Sequence, residues 1–206
     1  LRSIRSLQNL GLTLDEIRDY FNDSADLLPL IRRLEKMRDE LNLNIEKLYE
    51  RAKISSEQVK EMLLPPQLVY RRIYQSGSVA ERTVLLRNTA LEAMRAYGTD
   101  ITRRMYFIEY PIDHPGEATF CVAVPAGSRG EFVVELPEVR AVCLYHHGAY
   151  EELPATGQQL IEHAEVHGLT PLGTVRHTYL EGPPQHKDPS KFITQVALPV
   201  AENRKE

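Results

Sequence analysis

The last two-thirds of this chain is written twice, and that duplication constrains its fold more than any other feature. Leu68–Gly77 (LVYRRIYQSG) is echoed by Val139–Gly148 (VRAVCLYHHG), with Tyr74 over Tyr145 and Gly77 over Gly148. A helix-like stretch follows each copy and stops at Tyr97-Gly98 and at His167-Gly168. A strand-like run comes next, Arg104–Pro111 (RMYFIEYP) matched by Arg176–Pro183 (RHTYLEGP). Each copy closes on an apolar run ending in proline, Ala118–Pro125 and Phe192–Pro199. Each half therefore reads strand, helix, strand, strand, with Ala126–Gly130 as a flexible connection. The expected product is an α+β domain over residues 67–202, an antiparallel sheet with two helices on one face. The seam between two such halves is where a small-molecule pocket is expected.

The first third is of a different kind. Leu1, Ile4 and Leu7 have helical spacing, and Gly11 ends that turn. Thr13-Leu-Asp-Glu16 fits a capping box, in which the Thr hydroxyl caps the backbone and the Glu reaches back. Ile17, Tyr20 and Phe21 form the apolar stripe of a short second helix, so residues 1–26 read as a small helical unit. A long helix is predicted from Leu27 to about Leu63. Ile31, Leu34, Leu41, Ile45 and Leu48 alternate by three and four, with Arg38 interrupting the seam and Ala52 extending it. A narrow seam on so long a helix predicts a homodimeric coiled coil over residues 27–64, with Pro65-Pro66 as its stop and the domain boundary. The charge run Arg32–Glu40 is mixed in sign and reads as a solvated flank.

Composition narrows the function. A net charge of -4 over 206 residues lacks the basic excess of a phosphate-gripping chain. No apolar run reaches the ~20 residues a membrane span needs, and no signal peptide is legible, so a cytoplasmic protein is expected. Cys121 and Cys143 lie in apolar runs and read as buried free thiols. The chain begins at Leu1 without a methionine and in mid-helix, the pattern expected of a fragment. His163 and His167 are four apart on a helix and His146 adjoins His147, but no HExxH or CxxC accompanies them. The His163/His167 pair reads as solvent-facing, and no metal or cofactor is expected.

Strand alternation supplies the candidate site. Along Val175–Glu181, His177, Tyr179 and Glu181 share a face; in the first copy Met105, Phe107 and Glu109 share the equivalent one. Two carboxylates and several aromatics would then converge on the seam. A carboxylate ringed by aromatics suits a lipophilic cation, with counter-charge from the acid and cation–π attraction from the rings. The alternative is that Glu109 and Glu181 sit at strand ends and face solvent. Tyr145 and Tyr150 bracket the turn into the second helix, either lining the mouth of the pocket or packing in the core. Glu181 with Tyr179 could also work as an acid–base pair in hydrolysis.

Two stretches carry a family resemblance. Leu1–Ile17 (LRSIRSLQNLGLTLDEI) followed by a heptad helix resembles the later part of a MerR-family DNA-binding domain and its dimerisation helix. His147–Glu152 (HGAYEE), Tyr179-Leu-Glu181 and Val196–Val200 (VALPV) resemble the GyrI-like effector-binding domain. Their order is that of MerR-type multidrug-sensing regulators. The resemblance implies a non-enzymatic, ligand-responsive regulator that dimerises through an antiparallel coiled coil. An amphipathic, cationic aromatic effector in its C-terminal domain would change how the dimer distorts promoter DNA. It implies a ligand-binding glutamate at Glu181 and pocket aromatics among Phe107, Tyr145, Tyr150 and Tyr179. The helix-turn-helix expected before Leu1 is not in the sequence, so DNA contact is assigned to the full-length protein rather than to this fragment. Stand-alone proteins similar to the GyrI-like domain include hydrolases of reactive electrophiles, which leaves a hydrolase or a ligand-sequestering protein as the alternative.

Overall fold

The fold is described from a computed structural model at residues 7–8, 11–22, 26, 28, 31, 33–34, 37, 41, 44–45, 48, 58–98, 106–114 and 116–202. Two compact units, residues 1–52 and 53–206, divide the chain. The readings placed on Leu1, Ile4, Arg38, Ala52 and Met105 lie outside the described residues.

In the first unit the capping box forms as its residues dictate. Helix α1 (Leu14–Tyr20) begins at Thr13, whose hydroxyl accepts from Glu16 N at 3.3 Å while Thr13 N donates to Glu16 Oε2 at 2.7 Å. Arg33 ties this turn down, pairing with Glu16 and donating to the Gly11 carbonyl at 2.9 Å. Leu12 and Ile17 are the buried side chains of α1 and its approach. The described residues between Leu28 and Leu48 are helical. Most of their apolar positions face outward, Ile31 at 48%, Leu41 at 60% and Leu48 at 62% exposure, while Leu34 is half-buried.

The second unit corrects the expected helix and boundary. The long helix does not continue to Leu63, because Lys60–Leu64 is strand β1. It pairs antiparallel with a later strand, from Lys60 opposite Cys143 to Leu64 opposite Val139. Lys, Glu, Met and Leu are good helix formers, but cross-strand pairing overrides so weak a local preference. Pro65-Pro66 therefore ends a strand rather than a helix, and the sheet begins before the boundary drawn at residues 64–67.

The remaining elements are β2 (Gln67–Gln75), α2 (Val79–Tyr97), β3 (Tyr106–Pro111), β4 (Glu117–Ala123), β5 (Val133–Leu136), β6 (Val139–His147), α3 (Leu153–Val166), β7 (Leu169–Pro171), β8 (Thr174–Glu181) and β9 (Ile193–Glu202). The sheet runs β1-β6-β9-β8-β3-β4-β2-β5, with β7 on β9, and every pairing is antiparallel. Its centre is the β3–β8 pair, flanked by β4 and β9, then by β2 and β6. Strands β1, β5 and β7 had no counterpart in the sequence reading; each is at most five residues long, too short for alternation to stand out.

Helix ends follow local chemistry. Ser78 caps α2, accepting from Glu81 N at 3.1 Å, and Gly98 closes it at φ +66°, a left-handed conformation that glycine adopts without penalty. Pro154 lies in the first turn of α3, after a 3-10 turn over Tyr150–Glu152 that delays the helix past Glu151. Ala90 and Ala93 of α2 pack on Tyr70, Val122 and Val124. Leu153, Leu160 and Ala164 of α3 pack on Val142, Leu144, Val196 and Leu198. Cys121 and Cys143 are free and buried, as read. No described helix is long and apolar enough to cross a membrane.

Leu160 is fully buried under α3 while Val166, at its end, is 82% exposed. Leu160→Ala is expected to cost about 2–5 kcal/mol in urea unfolding, and Val166→Ala less than about 0.5. Equal costs would contradict this packing of α3.

Candidate functional site

Helices α2 and α3 cover the flanks of the sheet and leave a cavity of about 420 Å³ over its centre. That is the size of a drug-like ligand site. The floor is Tyr106, Ile108 and Tyr110 of β3 with His177 and Tyr179 of β8. One wall is the stripe Val79, Arg82, Leu86 and Ala90 along α2, spaced by three and four so that one helix face looks inward. The other wall is Tyr150, Leu153 and Pro154 at the start of α3, with Gly182–Pro184 beyond β8.

Register decides which side chains reach the cavity. Ile108 lies opposite His177, and Glu109 opposite Arg176. Even positions of β3 and odd positions of β8 therefore share the cavity face. The sequence reading had put odd positions of both strands together, a phase error of one residue. Phe107 and Glu109 are thereby corrected to the other face of the sheet. There the Arg176 guanidinium lies 4.2 Å over the Phe107 ring and donates to Glu109 Oε1 at 2.8 and 3.0 Å.

For Tyr145 the core-packing alternative holds, and the pocket assignment is corrected. Its neighbour Leu144 packs against α3, so Tyr145 looks away; its hydroxyl accepts from Gln195 Nε2 at 3.0 Å, and Lys60 Nζ lies 4.8 Å over its ring. Tyr74, its supposed equivalent, packs on Phe120 beside Leu85 and Leu86 of α2. Glu181 follows an irregularity in the β8–β9 pairing after Tyr179. It is buried at 6% exposure and bonded to His186 Nε2 at 2.5 Å, and it is not among the cavity-lining residues. Of the seven site residues expected, the cavity gathers Tyr150, His177 and Tyr179. Those that sequence reasoning missed are Tyr106, Tyr110 and Arg82. Tyr106 and Tyr110 flank the chosen Phe107 and Glu109 and were assigned to the wrong face; Arg82 lay in a helix with no motif of its own.

The aromatics pack on one another, edge to face or tilted. Tyr150 and Tyr179 have ring centroids 5.1 Å apart at 68°. Tyr110 stands 4.6 Å from the His177 ring, and its hydroxyl is 3.4 Å from that of Tyr179. Gly182 permits the close approach of Tyr150, since a Cβ at that position would sit 2.2 Å from the Tyr150 hydroxyl oxygen. Burial, then the nearby Arg82 and His146, lowers His177 to about 3, so its imidazole is neutral at physiological pH. Burial and the neighbouring Tyr110 push Tyr179 well up, so it stays protonated. Arg82 is the half-buried cation of the site, its guanidinium 5.4 Å over the Tyr110 ring. No Asp or Glu is among the described lining residues. At the far end of α3, the His163 and His167 rings stack at 3.9 Å.

Residues 106–201 match the GyrI-like small molecule binding domain. This GyrI-like region contains the whole floor of the cavity and the α3 wall, while the α2 wall precedes it. No curated protein sequence matches the chain at a significant level. Among solved structures, the EcmrR C-terminal domain superposes with a TM-score of 0.63 at 21% identity, covering 70% of this chain and 98% of that one. EcmrR in its DNA complex gives 0.62 at 23% identity, covering 98% of this chain and 82% of that one. A hydrolase from Listeria innocua gives 0.51 at 15% identity, covering 75% and 98%. At such identities these likenesses establish the fold.

The buried neutral imidazole makes a pH prediction. Unfolded, His177 titrates near 6.5; folded, near 3. Below pH 6.5 the unfolded chain gains a proton that the folded chain does not take up. The contribution is complete above 6.5 and is lost as pH falls toward 3, by about 1.4 kcal/mol per unit. Urea unfolding at pH 7 and pH 5 is expected to show the parent losing roughly 1–2 kcal/mol more than His177→Gln. Identical losses would contradict the buried neutral state.

Proposed function

We propose that this chain is the dimerisation and effector-sensing part of a MerR-type transcriptional regulator. Its GyrI-like region, built as two related halves, binds an amphipathic aromatic small molecule in the cavity between α2, α3 and the β3–β8 floor. The observation that carries this reading is the pocket itself, four tyrosines and a neutral histidine around about 420 Å³. Rings held edge to face offer stacking surface without large rearrangement. The fold shared with EcmrR, a protein solved in a DNA complex, adds the regulatory context. Promoter DNA is proposed as the partner of the complete regulator.

The site is proposed to bind rather than turn over its ligand, although a hydrolase shares the fold. A histidine that titrates near 3 is a poor base, and a tyrosine pushed well above its usual range is a poor acid. The carboxylates that hydrolysis would call on are engaged elsewhere, Glu109 with Arg176 and Glu181 with His186. Tyr179→Ala is expected to weaken binding of an amphipathic aromatic ligand by roughly tenfold in calorimetry, from lost stacking and burial. Ligand recovered chemically altered after hours of incubation would replace the sensor with an enzyme.

Dimerisation is proposed through the outward apolar positions Ile31, Leu41, Ile45 and Leu48, each more than 40% exposed. A heptad-spaced apolar stripe is the surface that a second copy covers in a coiled coil. Leu41→Glu is expected to convert dimers to monomers at micromolar concentration by sedimentation. A parent chain already monomeric there would rule out this interface.

A further inference from the structure

The charge of the pocket points to the class of its ligand, and this inference rests on the cavity being a ligand site. Arg82 is the cation that matters. It projects from the first turns of α2 into the cavity, over Tyr110 and close enough to His177 and Tyr179 to influence both titrations. Its Nε is buried and has no hydrogen-bond acceptor among the described residues. A buried N–H without an acceptor is costly, and the penalty is relieved by any ligand oxygen that reaches it.

The carboxylates that might have neutralised Arg82 are committed. Glu109 is on the other face of the sheet with Arg176, and Glu181 bonds His186. Glu152 lies 3.4 Å from His146, and Glu81 accepts from Gly77 N at 3.1 Å and from Ser76 Oγ at 3.3 Å at the start of α2 rather than lining the cavity. Glu92 accepts from the Tyr70 hydroxyl at 2.9 Å. A lipophilic cation would thus meet a like charge at the wall and no described acid. The face of Tyr110 that could attract it is already occupied by the guanidinium.

We propose that the pocket takes an aromatic anion, whose ring system lies among the tyrosines and whose carboxylate pairs with Arg82. The planar guanidinium fork matches a carboxylate in two parallel hydrogen bonds, and a half-buried setting strengthens them. The Tyr110 and Tyr179 hydroxyls stand as further donors beside it. Neutral His177 adds no second cation, so Arg82 sets the charge preference of the inner site. Arg87, exposed at the opening, extends the positive potential outward.

The test is calorimetry at pH 7 on the whole chain with three matched probes: naphthalene-2-acetate, its primary amide, and 2-(naphthalen-2-yl)ethylammonium. The acid is expected to bind at least about tenfold tighter than the other two. Arg82→Gln is expected to remove that advantage, weakening the acid by at least about tenfold more than it weakens the amide, and Arg82→Lys to restore part of it. An unchanged circular dichroism spectrum and melting temperature report that Arg82→Gln keeps its fold. Equal or tighter binding of the ammonium, or an acid advantage that survives in Arg82→Gln, overturns the anion assignment and leaves the pocket reading standing. No binding of any probe overturns the pocket reading itself.

Discussion

The antiparallel pairing of β3 with β8 is the constraint on which the rest of this domain depends. It joins the two halves of the sheet, and its register decides which side chains rise into the cavity and which descend to the opposite face. With Ile108 across from His177, the cavity receives tyrosines, isoleucine and imidazole. A slip of one residue would exchange that set for Phe107, Glu109 and Arg176, and make a charged site of an aromatic one. The buried Glu109–Arg176 pair opposes such a slip. Among the described residues each ion pairs with its cross-strand neighbour, and an uncompensated buried charge is strongly destabilising.

The cavity follows from how little the helices cover. Helix α2 lays small side chains, Ala90 and Ala93, onto β2 and β4, and α3 lays Leu160 and Ala164 onto β6 and β9. Neither helix is centred on β3 and β8, so the middle of the sheet is roofed only by the rims of both. Large aromatic residues line that gap. They make its walls firm, because a tyrosine ring offers broad contact area with few rotatable bonds.

Much of the architecture was legible because it is periodic or punctuated. The strand, helix, strand, strand order, the glycine stops at Gly98 and Gly168 and the Thr13–Glu16 capping box all rest on local chemistry that tertiary packing did not override. The site was legible only in part. Aligning the halves on Tyr74 and Tyr145, and on Glu109 and Glu181, matched residue types across copies but crossed the faces. A period-two pattern has no tolerance for an offset of one. Phe107 and Glu109 were lost to that error, while Tyr150, outside any strand, escaped it. Arg82 carried no signal at all in the sequence. A cation on a helix that is otherwise polar on one side becomes notable only when its nitrogen is seen buried without an acceptor.

The electrostatics also separate recognition from catalysis. The burial that keeps His177 neutral and Tyr179 protonated removes the two groups on the floor best able to move a proton, yet leaves their rings and hydrogen-bonding edges available to a ligand. An arginine, unlike a lysine, keeps its charge under the same burial. A site so composed has a fixed charge, fixed donors and no group poised to exchange a proton near neutral pH. On the proposed reading such a site retains what it binds, as a sensor requires: a ligand shifts a conformational equilibrium only while it stays bound to the favoured arrangement.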